Sequence, residues 1–289
     1  MGKVLGRLRP GARVRVVAPA GAVEKEALAP GLKILKDWGL RVEVDPGVFE
    51  KKGYLAGEDR SRAEALLRAA EEAEVLWAAR GGYGSARLLP LLAPRLPEKF
   101  PPLLGFSDLS ALLNLLAQRG LPVWHAPTVC FLPRLSPEAL SETRALLFGE
   151  KALVFEGLGL SPGKTQGPVF GGNLATLSAL LGTPYFPSLR GALLFLEDLR
   201  EPLYRLDRYL THLRLSGVLD EVAGILLGDL GLPEGEILPL VKEVLPREKP
   251  CGLFPYLGHK PALTAFPLGV WARLEVAGDR ARWSFEIDD

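Results

Sequence analysis

Leu103-Leu104-Gly105-Phe106-Ser107-Asp108-Leu109-Ser110 decides how this chain is read: a short apolar run meets a Gly-Phe-Ser-Asp corner, and an apolar helical segment, Ala111 to Ala117, follows. The pattern is strand, tight turn, helix. A serine at such a corner points outward at the carboxyl end of a sheet, beside helix-start N–H groups that stabilise a developing oxyanion. Ser107 is therefore the candidate nucleophile. The competing reading is that Ser107 or Asp108 only caps the helix, since both residue types are favoured N-caps, and the stretch taken alone favours that role. The glutamate or glutamine of a capping box is missing, because Ser110 and Ala111 stand three residues after Ser107 and Asp108.

Upstream, strands and helices alternate. Arg13 to Ala18 reads as a strand, and Glu24 to Trp38 as a helix with Leu28, Leu32 and Leu35 on one face and Gly39 as its stop. Arg41 to Val44 is a second strand, and Glu58 to Ala73 a second helix with Ala63, Leu66, Leu67 and Ala70 at core spacing. Val75 to Ala79 is a buried strand that runs into Arg80-Gly81-Gly82-Tyr83-Gly84-Ser85. Three glycines in four residues mark a turn where backbone approaches something closely. The Lys-Ser/Thr of a phosphate-binding P-loop is absent and Gly-x-Gly-x-x-Gly does not fit. In a parallel doubly wound sheet the loops after successive strands crowd one edge, which sets Gly81 and Gly82 beside Ser107 as candidate oxyanion donors.

Downstream, Pro122 to Pro127 reads as a short strand and exit loop, and its His125 as a packed structural histidine. An amphipathic stretch, Pro137 to Phe148, lies within a segment read as the link between domains, 133–166. Pro168-Val169-Phe170-Gly171-Gly172-Asn173-Leu174 leads into a small helix with Asn173 as its cap. Ala192 to Leu196 is an apolar strand that stops at Glu197-Asp198, and a helix with His212 on it runs from Leu203 to Gly217. Ala223 to Gly228 is a strand, Glu234 to Leu245 a helix, and Gly252 to Pro255 an apolar run leading to Gly258-His259-Lys260. Val270 to Val276 and Arg282 to Ile287 alternate as closing strands. The expected domains are 1–132, α/β with the nucleophile, and 167–289, smaller and β-rich.

The 289 residues carry a net charge of +1, so nothing favours nucleic acid or a membrane surface and a small molecule is the expected partner. Cys130 and Cys251 form no disulfide framework, and the three histidines show no ligand spacing, so neither metal nor cofactor is expected. With no signal-length apolar run, the expected location is the cytoplasm. Asparagine occurs only at 114 and 173 and glutamine only at 118 and 166, in a chain with 25 prolines, which points to heat adaptation.

Ser107, Glu197 and His259 each sit where an apolar strand gives way to a loop, in the order nucleophile, acid, base. Around them stand Val16-Val17-Ala18-Pro19-Ala20, Arg80-Gly81-Gly82-Tyr83-Gly84, Gly105-Phe106-Ser107-Asp108, His125-Ala126-Pro127, Gly171-Gly172-Asn173-Leu174, Leu196-Glu197-Asp198 with Glu201 and Asp207-Arg208, and Gly258-His259. In these blocks, almost end to end, the chain resembles the LD-carboxypeptidases of serine peptidase family S66, which include murein tetrapeptide carboxypeptidases and microcin C immunity peptidases. His-Ala-Pro stands where that family usually has His-Gly-Pro.

The resemblance implies a flavodoxin-like N-terminal α/β domain, a β-rich C-terminal domain, and often a homodimer. It also implies Ser107 as nucleophile, His259 as base and then acid, Glu197 as its orienting carboxylate, and the N–H groups of Asp108 and the Gly81-Gly82 turn as oxyanion hole, all meeting in an interdomain cleft. Arg80 is the candidate donor to a substrate carboxylate. The expected reaction releases terminal D-alanine from a murein tetrapeptide. The alternatives are hydrolysis of a peptidyl or aminoacyl adenylate antibiotic and, from another class, non-catalytic binding of a nucleotide or sugar phosphate.

Overall fold

The computed structural model describes residues 7–285. The chain forms two compact units, one from the chain up to Lys151 with Thr264–Pro267, the other from Ala152–Leu263 and from Leu268 onward. The first unit holds strands β1 (Arg13–Val17), β2 (Arg41–Val44), β3 (Val75–Ala78), β4 (Leu103–Gly105) and β5 (Val123–His125). The second holds β6 (Val154–Ser161), β7 (Gly163–Asn173), β8 (Leu193–Glu197), β9 (Gly224–Leu227) and β10 (Cys251–Leu253). Next, β11 (Phe266–Leu268) joins the edge of the first sheet, and β12 (Trp271–Ala277) and β13 (Arg280–Phe285) close the second.

The first sheet has the order β11-β5-β4-β3-β1-β2, and β1 to β5 pair in parallel. Strand order 2-1-3-4-5 is flavodoxin-like, with the reversal of winding between β1 and β3, where ligands of such sheets bind. The central strands are apolar on both faces because helices cover both; Val75–Ala78 is buried at every position. At the edge, β2 alternates exposed and half-buried residues and carries Arg41 and Glu43, charges that discourage pairing with another chain.

The helical faces are rotated slightly from the expected ones. In Lys25–Asp37 the buried residues are Leu28, Gly31 and Leu35, with Leu32 only half-buried. A Cβ on Gly31 would stand 2.0 Å from the Val129 carbonyl oxygen, so only glycine admits that approach. In Asp59–Glu72 the buried set is Arg62, Ala63, Leu66 and Ala69, so an arginine occupies a core position where periodicity had counted only Ala63, Leu66, Leu67 and Ala70.

The second unit is a closed barrel, β10-β6-β13-β12-β7-β8-β9. The long strand β7 joins its two kinds of pairing. Residues 163–168 run antiparallel to β12, and 169–173 run parallel to β8, which sets Asn173 opposite Glu197. Fully buried Trp283 packs against Phe155, Phe195, Phe254 and Phe285, with ring centroids 4.8 to 6.2 Å apart. The stretch 133–166 is ordered structure, helix Pro137–Leu147 and β6. The last expected strand begins at Arg280, and residues 286 and 287 lie outside the described residues.

Candidate active site

The first unit carries the serine corner. Phe106 is extended and Ser107 takes φ +65°, the left-handed region that costs a residue with a Cβ about 1–2 kcal/mol. A short 3-10 turn, Ser107–Leu109, then feeds helix Ser110–Gln118. Strain at a half-exposed serine between a parallel strand and a helix is the geometry of a nucleophile elbow. Neither Ser107 nor Asp108 caps that helix with its side chain.

Asp108 instead holds the glycine loop. Its Oδ1 accepts from the Gly84 N–H at 3.2 Å and its Oδ2 from the Ser85 N–H at 2.9 Å, while the Ser85 hydroxyl donates to the Asp108 carbonyl. Burial raises the Asp108 carboxyl above its ordinary value, against the Ser85 and Gly84 hydrogen bonds, which lower it. This clasp brings the loop to the serine. A Cβ on Gly81 would stand 3.2 Å from Ser107 Cβ and 3.4 Å from its Oγ. The nearest heavy atoms to a Cβ on Gly82 would be Arg80 and Gly21 instead. Buried Arg62 completes the brace by donating to the carbonyls of Pro19 and Gly84, and it pairs with Asp59.

Arg80 is exposed, and its Nη1 donates to the Ala22 carbonyl at 3.1 Å, which joins the loops after β1 and β3. His125 is fully buried and stacks on Phe266, with centroids 4.7 Å apart and planes 11° apart. It is a packed aromatic, as expected. His212 is exposed on helix Leu203–Leu215.

In the second unit the ends of β8 and β9 and the loop after β10 bring Glu197 and His259 together. Glu197 Oε2 lies 2.8 Å from His259 Nδ1. A carboxylate only accepts, so Nδ1 carries the proton and the ring is held in one tautomer. Glu197 has 0% exposure and the His259 side chain 11%. Burial disfavours the imidazolium, but the Glu197 hydrogen bond and charge, with Asp198 and Asp229, outweigh it and raise the His259 pKa.

Asp198 is pushed up to about 6 by burial and by the adjacent Glu197 charge, against hydrogen bonds from Leu199, Ala175 and Asn173. Asn173 caps its short helix as expected, with Oδ1 accepting from the Thr176 N–H at 3.0 Å. Sequence reasoning missed Arg62 and Asp229. Arg62 was signalled by standing four residues before Leu66, on the buried face. Asp229, like Glu197, follows a continuous apolar strand.

The first unit is thus flavodoxin-like with a strained serine, and the second is a barrel with a buried Glu-His pair. The sequence matches the LD-carboxypeptidase N-terminal domain over residues 14–126 and the LD-carboxypeptidase C-terminal domain over residues 166–274. The chain belongs to the LD-carboxypeptidase family and is an enzyme of that peptidase class. A Streptomyces coelicolor relative, SCO6489, is 40% identical over 93% of this chain and 92% of its own length. The murein tetrapeptide carboxypeptidase of Pseudomonas aeruginosa is 33% identical over 94% of this chain and 95% of its own. Among solved structures, MccF in complex with glutamyl sulfamoyl guanosine shares the fold with a TM-score of 0.84 at 19% identity, over 99% of this chain and 100% of that one. Among the described residues no helix is long and apolar enough to cross a membrane.

Proposed function

We propose that the protein is a serine L,D-carboxypeptidase that removes the terminal D-alanine of murein tetrapeptides during cell-wall recycling, with Ser107, His259 and Glu197 as its triad. The observation that carries this reading is the buried Glu197–His259 hydrogen bond, which prepares an imidazole for proton transfer. His259 takes the Ser107 hydroxyl proton as Oγ attacks the peptide carbonyl carbon. The oxyanion is received by the N–H groups of Asp108, Gly81 and Gly82, a role supported by the contact of Gly81 with Ser107. The tetrahedral intermediate collapses, the C–N bond breaks, and His259 gives its proton to the departing D-alanine amine. Water, deprotonated by His259, then hydrolyses the Ser107 ester.

Glu197 holds the ring through Nδ1 and stabilises the imidazolium. Arg80, with one nitrogen anchored on Ala22, offers its remaining N–H groups to the substrate's terminal carboxylate. No metal or organic cofactor enters this scheme. The reading places the enzyme in the cytoplasm as a homodimer, to be checked by fractionation and sedimentation. Identity of 33% with a murein tetrapeptide carboxypeptidase, against 19% with the MccF structure, supports the peptide over an adenylate antibiotic as substrate. Parallel incubations with a murein tetrapeptide and with a microcin-type aminoacyl adenylate test this. Alanine release from the peptide alone is expected; cleavage of the adenylate alone overturns the substrate assignment, and cleavage of neither overturns the proposed triad chemistry.

A further inference from the structure

The second unit contains a carboxylate that the proposed reaction does not use. Asp229 follows β9 by two residues and is only 6% exposed. Its N–H donates to the Leu257 carbonyl at 2.7 Å and its carbonyl accepts from the Asp198 N–H at 2.9 Å. One residue thus ties the strand end bearing Glu197 to the loop bearing His259. The side chain repeats the tie: Oδ1 accepts from the Gly231 N–H at 3.1 Å and pairs with Lys260 Nζ at 3.0 Å, on the residue that follows His259.

The other flank of the histidine is equally confined. Gly258 has φ +147°, and a Cβ there would stand 2.9 Å from Asp229 Cβ. A Cβ on Gly228 would stand 2.3 Å from the Leu257 carbonyl oxygen and 3.1 Å from Glu197 Cβ, so the loop has no room to slide past the strand end. A buried carboxylate is costly unless paired, and this one takes its partner from the residue beside the imidazole rather than from the barrel wall.

We propose that Asp229 and Lys260 form a clasp that holds the His259 imidazole in register with Glu197, which makes Asp229 a positioning residue for peptide hydrolysis. The inference rests on the triad reading. Its mechanism is orientation: a base displaced by a fraction of an ångström lowers the rate of proton transfer while substrate binding is unchanged. The charged groups that act on the ring are Glu197, Asp198 and Asp229, and Lys260 is paired with Asp229.

The test compares Asp229→Asn and Lys260→Met with the wild type, measuring kcat and KM on the tetrapeptide and the titration of the His259 ring by NMR. Both variants are expected to lose kcat, by roughly 10- to 100-fold, with KM unchanged, because both open the clasp. Their His259 midpoints are expected to move in opposite directions, down in Asp229→Asn and up in Lys260→Met, since one loses a negative neighbour and the other a positive one. A purely electrostatic role would also send the rates in opposite directions, and that result overturns the clasp, as does wild-type kcat in both. Lys260→Arg is expected to restore turnover. Lys260 is half-exposed, so Lys260→Met tests the idea even where Asp229→Asn fails to fold. If the wild type cleaves neither the peptide nor the adenylate, the triad reading fails by itself, and the clasp is judged by the downfield Nδ1 proton of His259. Loss of that signal in both variants supports the clasp, and retention in both overturns it.

Discussion

Replacing Glu197 by glutamine separates the orienting function of the carboxylate from its bulk. The carboxylate is fully buried; Oε2 accepts from His259, and among the described residues Oε1 has no hydrogen-bond partner. A glutamine that turns its carbonyl to Nδ1 strands both amide hydrogens in that unpartnered corner, at a cost of about 1–3 kcal/mol. Turned the other way, its NH₂ donates to Nδ1, so the proton sits on Nε2, where it cannot accept from Ser107. The wrong tautomer is thus favoured by roughly ten- to hundred-fold. Loss of the charge that stabilises the imidazolium deepens the defect, for a total of about 10³–10⁴ in kcat. At ~1.36 kcal/mol per decade this is ~4–5 kcal/mol of transition-state stabilisation. The assay is initial-rate release of D-alanine at pH 8, with thermal melting as a control for folding. A loss below about ten-fold, the size one general acid–base contact exceeds, would refute the reasoning.

Further outcomes follow from the same geometry. Ser107→Gly and Ser107→Ala both abolish turnover, but the glycine variant melts higher than the alanine one, because only glycine relieves the strain at φ +65°. Asp108→Asn points an amide N–H at the N–H of Gly84 or Ser85 and lowers stability by about 1–3 kcal/mol, read by denaturant titration, with kcat reduced as the glycine loop drifts from Ser107. Arg62→Met leaves the Pro19 and Gly84 carbonyls without their buried donor and is expected to lower the melting midpoint further than Arg80→Met, whose side chain is exposed. The raised His259 pKa requires kcat/KM to climb through a midpoint above the ordinary histidine value of about 6.5, since the base must be neutral. The same group stabilises the fold fully below its unfolded pKa and loses that contribution as pH rises through the folded one, so Glu197→Gln flattens stability against pH in this window.

Much of this architecture is visible in the residues because buried parallel strands are continuous apolar runs. Val75–Ala78 and Leu193–Glu197 stand out between glycine and charged punctuation, and the candidate acid is found where such a run stops. Strand β6 is hidden for the opposite reason. Val154–Ser161 carries two glycines, Gly157 and Gly159, and only Phe155 is buried, so it reads as a linker. Their close neighbours, the Leu253 and Gly278 carbonyl oxygens, explain the glycines only once the barrel is closed. Likewise β11 is three residues with a proline at its centre, and it belongs to a sheet far away in sequence. Arg62 and Asp229 were hidden because charge reads as surface; their burial depends on partners that loops supply.

The central claim is that Ser107 forms an acyl-enzyme with the help of His259 and Glu197. The most direct test is mass spectrometry of a murein tetrapeptide and of the protein itself, mixed and quenched in acid, for wild type and for Ser107→Ala. The account predicts a peptidyl adduct mapped to Ser107 and free D-alanine with the wild type, and neither with the variant. Alanine release by Ser107→Ala at the wild-type rate would contradict it.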